Sequence, residues 1–467
     1  MPLSLALVEV AFRRTPCRTR LPFRFGAVTV TEAETLTCRV TCRDERGGRA
    51  VGFSADLLVP RWFRKDTDAS PQQDADELFA SARAAGVAFA AQLTLPDTVF
   101  AAWQQAFAER VLATPQDAPD RLVRGFGVAL LERALVDAAC RLADLPFAAA
   151  LKADVFGFRP ERIHAELAGW DWAAALPRPQ PSIAVRHTVG MLDVLRTADL
   201  PPNARVADGL PQTLQEDLAQ YGHRWLKVKI GAGPERDRAR LLDLAAFLDE
   251  IDRSPGITLD GNEQYPDMAT LAELLEAVAA EPNGRRLLDR VVWIEQPLPR
   301  AATFDPARHV GIERVSRIAP LILDEADAAP DSLTRALALG YRGVSVKNCK
   351  GLFRALASFG ICRRGEGRFQ SSEDLTNLGG LSLQQDLVTA AVLGLSHSER
   401  NGHHYFAGLG HLPPQVAQRA LDRHPDLYRP FGAGAAVSIS AGRMEFGSAL
   451  GAVGYGHSLG ELPGPWE

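Results

Sequence analysis

Lysine is scarce in this chain, and most of the few present fall where chemistry could use them. Of the 52 basic residues, 46 are arginine and six are lysine: Lys65, Lys152, Lys227, Lys229, Lys347 and Lys350. Arginine stays protonated in proteins, whereas lysine can give up its proton and act as a base. Lys227 and Lys229 close the apolar run WLKVKIG, and the period of two along a strand points both ammonium groups to one side. Later apolar runs end in Asp260, in Glu295, in Asp324-Glu325 and in Lys347. The steps from Lys229 to Asp260, Glu295, Asp324 and Lys347 are 31, 35, 29 and 23 residues. Each is about one strand–helix unit of ~30 residues. Successive strands therefore each deliver one charged group to a common mouth. Three gathered carboxylates repel unless neutralised, and an all-oxygen set favours a hard divalent cation, Mg²⁺ first. Such an ion can hold a substrate carboxylate and stabilise the dianion left when its α-proton departs. A second ammonium nearby lowers the pKa of a lysine base, fitting it to take that proton.

The elements around these residues have two rhythms. Residues 1 to about 60 alternate apolar and polar in the strand manner, with DERGGR as a turn, and predict an antiparallel meander of about three strands. Residues 70–150 are Ala-rich with helical spacing, so an α+β domain is expected over 1–160. From residue 161 to 410, eight short β-rich runs alternate with helical stretches, which favours a (β/α)8 barrel over an open doubly wound sheet. Residues 411–467, rich in Gly and Pro, are expected to pack back on the first domain.

Composition narrows the function classes. A net charge of −5 without a basic stripe argues against a nucleic-acid partner. No run of ~18 apolar residues is present to span a membrane, and the N-terminus reads as a strand rather than a signal peptide. Six scattered cysteines read as reduced thiols. The expectation is a cytoplasmic enzyme acting on a small-molecule carboxylate, with homo-oligomerisation as the default.

The strings KVKIG, LDGNEQY, WIEQPL, LILDEAD and VSVKNCKG resemble the enolase superfamily. The lysine on each side is similar to the muconate lactonizing enzyme subgroup. The resemblance implies a modified (β/α)7β TIM-type barrel, with an N-terminal α+β capping domain completed by C-terminal residues. It implies Asp260, Glu295 and Asp324 as Mg²⁺ ligands. Lys229 and Lys347 become the two acid/bases, with Lys227 assisting near the metal and the substrate carboxylate. Racemisation, epimerisation or cycloisomerisation is the expected outcome, with syn β-elimination on the same scaffold as an alternative. A Schiff-base aldolase and a non-catalytic binding barrel are the readings outside this chemistry. SSEDLTNLGG contains no histidine, so the His-Asp dyad of the mandelate racemase subgroup is absent there.

Further candidates line the expected rim. Asn262 and Glu325 stand beside ligands, and Glu373, Asp374, His397 and Glu399 belong to the last two strand regions. Glu373 and Asp374 read equally as helix-capping acids. His403 and His404 are considered for a second metal, the weaker reading, because the carboxylates already supply a hard-ligand set. In the first domain, RTRLPFRFG and GFSADLLVPRWF are similar to two substrate-covering loops. Arg18, Arg20 and Arg24 are candidates for an anionic substrate, and Phe23, Phe25, Trp62 and Phe63 for an apolar lid. Lys65, Lys152 and Lys350 have no assigned role.

Overall fold

The computed structural model describes residues 2–467 except 26–27, 60, 66–67, 116–117, 458–459 and 461; the side chain of Phe25 is also outside the description. The N-terminal alternation folds as three antiparallel strands, β1 (Leu5–Phe25), β2 (Val28–Asp44) and β3 (Arg49–Leu57), in the order β1-β2-β3. The predicted RTRLPFRFG loop instead continues β1. Its pairing breaks between Arg18 and Phe23 and resumes with Phe23 opposite Val30. Helices Pro71–Gln92 and Arg121–Leu142 pack on this sheet. Gly52 on β3 is required by close approach, because a Cβ there would run into the Ala134 carbonyl.

Eight parallel strands follow: β4 (Ser182–Val189), β5 (Trp225–Lys229), β6 (Gly256–Asp260), β7 (Val291–Glu295), β8 (Leu321–Leu323), β9 (Gly343–Val346), β10 (Phe369–Ser372) and β11 (His397–Arg400). Neighbours pair in chain order, and β11 pairs with β4 to close the barrel, His397 opposite Ala184 and Arg400 opposite His187. Helices separate the strands, so the (β/α)7β pattern holds. Val228, between the two inward lysines, packs in the apolar layer under the helices.

The C-terminal segment does more than return to the first domain. Arg443–Glu445 adds antiparallel to β4, so part of this segment extends the barrel. Beyond it, the Tyr455 N–H donates to Asp137 Oδ1 at 2.6 Å, and Glu467 exchanges backbone hydrogen bonds with Phe12 at 2.9 Å. Glu132, buried in helix Arg121–Leu142, accepts from the Phe353 N–H at 2.7 Å, tying the first domain to barrel helix Leu352–Arg363. No helix among the described residues is long and apolar enough to cross a membrane.

Candidate active site

The barrel interior is layered, because inward side chains alternate along each strand. The lowest layer is aromatic and cationic. His397 stacks on Trp225 at 3.9 Å and on Trp293 at 5.1 Å, and the Arg186 guanidinium lies 4.8 Å from the Trp293 ring. His397 starts β11 and its Nδ1 accepts from Arg186 at 2.8 Å, so it belongs to this floor and not to the rim where it was expected. Burial and Arg186 push its imidazole down to about 2, so it is neutral.

Above the floor sits Lys227, fully buried and ringed by four carboxylates. Its ammonium lies 2.7 Å from Glu373, 3.0 Å from Glu399, 3.0 Å from Asp260 and 2.7 Å from Glu295. Burial disfavours its charge, but the four acids prevail and hold its pKa well above the ordinary value. Lys227 is a permanent cation here. Glu373 also pairs with Arg186. Glu399 accepts from the Thr188 hydroxyl at 2.7 Å and from the Asp374 N–H at 3.0 Å. Burial opposes charge on Glu399, yet Lys227 and the other lysines hold it well below the usual range.

The top layer carries the remaining candidates. Lys229 donates to Asp260 at 2.6 Å, and Lys347 donates to Asp324 at 2.6 Å. Burial penalises both carboxylates, but their lysine partners keep them ionised. Burial also penalises the Lys347 ammonium, yet Asp324 raises its pKa despite the opposing charge of Lys227. The sequence-based expectation of a lowered lysine pKa is therefore reversed at Lys347. Glu295 behaves differently. Burial, Asp260 and Glu373 push it well above the ordinary value, and besides the ion pair with Lys227 its oxygens have no hydrogen-bond partner.

The strand ends themselves are strained. Asn262 and Glu263 follow Asp260 with φ of +42° and +67°, and Gln296 follows Glu295 with φ of +35°. Such conformations cost energy and cluster at functional sites. Buried Gln296 accepts from the N–H groups of Asp324 and Ala326 at 3.0 and 3.1 Å, fixing the end of β8 against β7. Asn262 donates its backbone N–H to Asp260 at 2.9 Å and its side-chain amide to Glu325 at 3.3 Å. Glu325 is pushed up to about 7 by burial and Asp324.

Several residues without a sequence-based role converge here. Lys350 donates to Ser345 at 2.8 Å and stands 3.5 Å from Asp324. Lys65 reaches down from the first domain to Glu263 at 2.6 Å and to the Asn262 carbonyl at 2.7 Å. Arg300 pairs with Glu263 and donates to the Trp62 and Phe63 carbonyls, clamping that segment over the barrel. Trp62 lies 4.4 Å from the Lys347 ammonium. Five of the six lysines thus meet at the barrel mouth, and only exposed Lys152 lies elsewhere. Their scarcity was the signal for Lys65; its place in the first domain hid its target. A cavity of about 870 Å³ opens beside them, lined by Lys65, Glu263, Arg300, Glu325 and Arg335.

Other candidates have different work. Arg20 pairs with Asp208 and donates to the His404 carbonyl at 2.8 Å, anchoring β1 to the barrel. Phe23 stacks on Tyr405 at 4.1 Å. Arg24 is exposed beside the β1–β2 connection, opposite Thr29. Asp374 receives N–H groups from Asn377 and Asn401 and stands 3.3 Å from Arg400, so its side chain organises a loop.

Residues 210–439 match the family model described as enolase C-terminal domain-like. That span, just under half of the chain, is similar to the enolase C-terminal domain-like family. No protein of curated function matches the sequence. Solved structures share the fold at low identity. An enolase from Bradyrhizobium, complexed with magnesium and mandelic acid, is 17% identical with a TM-score of 0.58, over 95% of this chain and 96% of that chain. Muconate lactonizing enzyme from Pseudomonas fluorescens, complexed with muconolactone, is 16% identical, TM-score 0.58, over 98% and 97%. The L-Ala-D/L-Glu epimerase from Bacillus subtilis is 14% identical, TM-score 0.59, over 93% and 97%.

Proposed function

We propose that this protein is an enzyme of the enolase superfamily that abstracts the proton α to the carboxylate of a small molecule and returns a proton to the carbanionic centre, as a racemase, epimerase or cycloisomerase. The observation that carries this reading is the placement of the two terminal lysines. Lys229 ends β5 and Lys347 follows β9, four strands apart in a closed barrel of eight, so they face each other across the mouth. Each is held by a carboxylate, Asp260 or Asp324. A substrate between them would meet one amine on each face, which permits proton removal from one side and return from the other.

The carboxylates fit a hard cation. Asp260, Glu295 and Asp324 are buried and supply only oxygen, and the Glu295 oxygens have no hydrogen-bond partner besides their ion pair with Lys227. These three would hold Mg²⁺. When bound, the ion supplies charge neutralisation for the substrate carboxylate as its α-proton leaves. The chain's own groups do the rest. Lys227 fixes Glu373 and Glu399 below the site. Gln296 holds the Asp324 backbone. Trp62 and the Arg300 clamp cover the mouth and limit water near the amines. A Schiff-base aldolase would use one amine and no cation site, whereas Asp260, Glu295 and Asp324 gather three buried carboxylates beside these amines.

The same reading includes a cytoplasmic homo-oligomer; its support is six free, buried cysteines for the compartment and the general rule of symmetry for the assembly. Thermal unfolding with and without Mg²⁺ tests the metal assignment. Stabilisation of the wild type and none of Asp260→Asn is expected. No metal response, or the same response in Asp260→Asn, overturns it.

A further inference from the structure

Outside the barrel wall, a second group of ligating side chains gathers where the barrel closes. His187 lies on β4 between Arg186 and Thr188, which both point inward to Glu373 and Glu399. The strand period therefore places His187 on the outer face. Asp217 comes from helix Leu214–Tyr221, His223 from the link into β5, and His403 from the turn after β11. One ligand atom from each of the four lies within 4.8 Å of all the others. His187 Nδ1 is 3.2 Å from His403 Nε2, and His187 Nε2 is 3.7 Å from Asp217. The His187 and His223 rings stack at 4.8 Å.

Several of their ring nitrogens lack other work. His223 is 5% exposed, yet neither ring nitrogen has a hydrogen-bond partner. His403 Nδ1 also lacks one, and Asp217 faces the imidazoles of His404 at 2.9 Å and His187 at 3.7 Å. Buried polar groups are almost always satisfied, so this many in one place requires an explanation. Burial, with mutual repulsion among the rings, keeps His223 and His403 well below their ordinary pKa. Neutral imidazole is the form that ligates metal.

We propose that His187, His223, His403 and Asp217 form a metal site for a borderline transition ion of the Zn²⁺ class. Three nitrogens and one carboxylate oxygen suit that class, and a nitrogen-rich set disfavours Mg²⁺. A tetrahedral ion with bonds of about 2.0–2.1 Å brings its ligand atoms to roughly 3.3–3.4 Å from one another. That is a contraction of about 1.4–1.5 Å from the present outer limit of 4.8 Å. His404 stands 2.9 Å from Asp217 and orients that carboxylate from behind, as outer partners of metal ligands do. Four protein ligands leave no open position, so the ion is a structural staple. It joins β4 to the turn after β11 at the barrel seam, where Arg400 pairs with His187. The staple also steadies Glu399, bonded by Thr188 one residue from His187.

The test uses the full chain without a histidine tag, stripped by a chelator and kept in excess Mg²⁺. Zn²⁺ content after gel filtration, Co²⁺ ligand-field absorption and thermal unfolding are measured. Expected are one equivalent of Zn²⁺, intense four-coordinate Co²⁺ bands and a raised Tm. His223→Gln and His403→Gln should lose the equivalent, and Asp260→Asn should keep it. His403 is only half-buried, so His403→Gln decides the matter if His223→Gln fails to fold. Absence of retained Zn²⁺ and of four-coordinate Co²⁺ in the wild type overturns the proposal. Undiminished binding in His403→Gln, or binding lost in Asp260→Asn, overturns it equally.

Discussion

Lys227 and Glu295 stand 2.7 Å apart at the centre of the barrel, and the ammonium that meets Glu295 also meets three other carboxylates. Lys227 is thus the counter-ion for the acids of four strand ends. Lys227→Met keeps the volume and removes the charge. It should destabilise the protein by about 3–5 kcal/mol, the usual cost of leaving buried partners unpaired. Urea unfolding at pH 7 measures this. The deficit should shrink at pH 5, where the freed acids protonate. An unchanged midpoint would show that the four acids are neutralised another way.

Lys229 and Lys347 should matter to rate far more than to folding. Replacing either by Met should reduce turnover about 10²–10⁴-fold, the ordinary contribution of a positioned acid or base. If the substrate is racemised, each variant should still exchange the α-proton of one enantiomer. Steady-state kinetics and exchange on separate enantiomers check this. Equal loss for both enantiomers in both variants would argue against two-sided proton transfer.

Gln296 holds the Asp324 and Ala326 N–H groups from the neighbouring strand. Gln296→Leu leaves both without their acceptor in a buried place. A loss of about 1–3 kcal/mol is expected for each unsatisfied group, read by chemical unfolding, together with weaker Mg²⁺ affinity.

Glu132 provides a pH dependence remote from the barrel mouth. Burial raises its pKa from 4.5 to about 8, against the Phe353 N–H, which favours the charged form. Across that window the folded protein holds a proton that the unfolded chain releases. Stability from this group therefore falls as pH rises, by at most about 1.4 kcal/mol per pH unit. Glu132→Gln keeps an acceptor for Phe353 and removes the titration. Thermal unfolding from pH 5 to 8 should show a flatter profile in the variant; parallel profiles would remove Glu132 as the cause.

Strand-end charges were legible in the sequence because a barrel places one per strand–helix unit, and Lys229, Asp260, Glu295, Asp324 and Lys347 keep that spacing. The eight strands were legible for the same reason. What pairs with what was not. Lys65 reaches Glu263 across 198 residues of sequence, and β1 continues where a loop was expected because its register resumes at Phe23. His397 reads like its polar neighbours, but alternation along β11 starts it at the barrel floor. The group of His187, Asp217, His223 and His403 has no local spacing to betray it.

Proton exchange tests the central claim most directly. The protein is incubated in D₂O with Mg²⁺ and a panel of dipeptides, N-acyl amino acids, sugar acids and cyclic carboxylates, and mass spectrometry follows the α-position. The expected result is deuterium uptake in at least one acid, abolished by Lys229→Met with Lys347→Met and by Asp260→Asn. With Mg²⁺ shown bound to the wild type, absence of exchange in every acid, or exchange that survives in the double lysine variant, would contradict it.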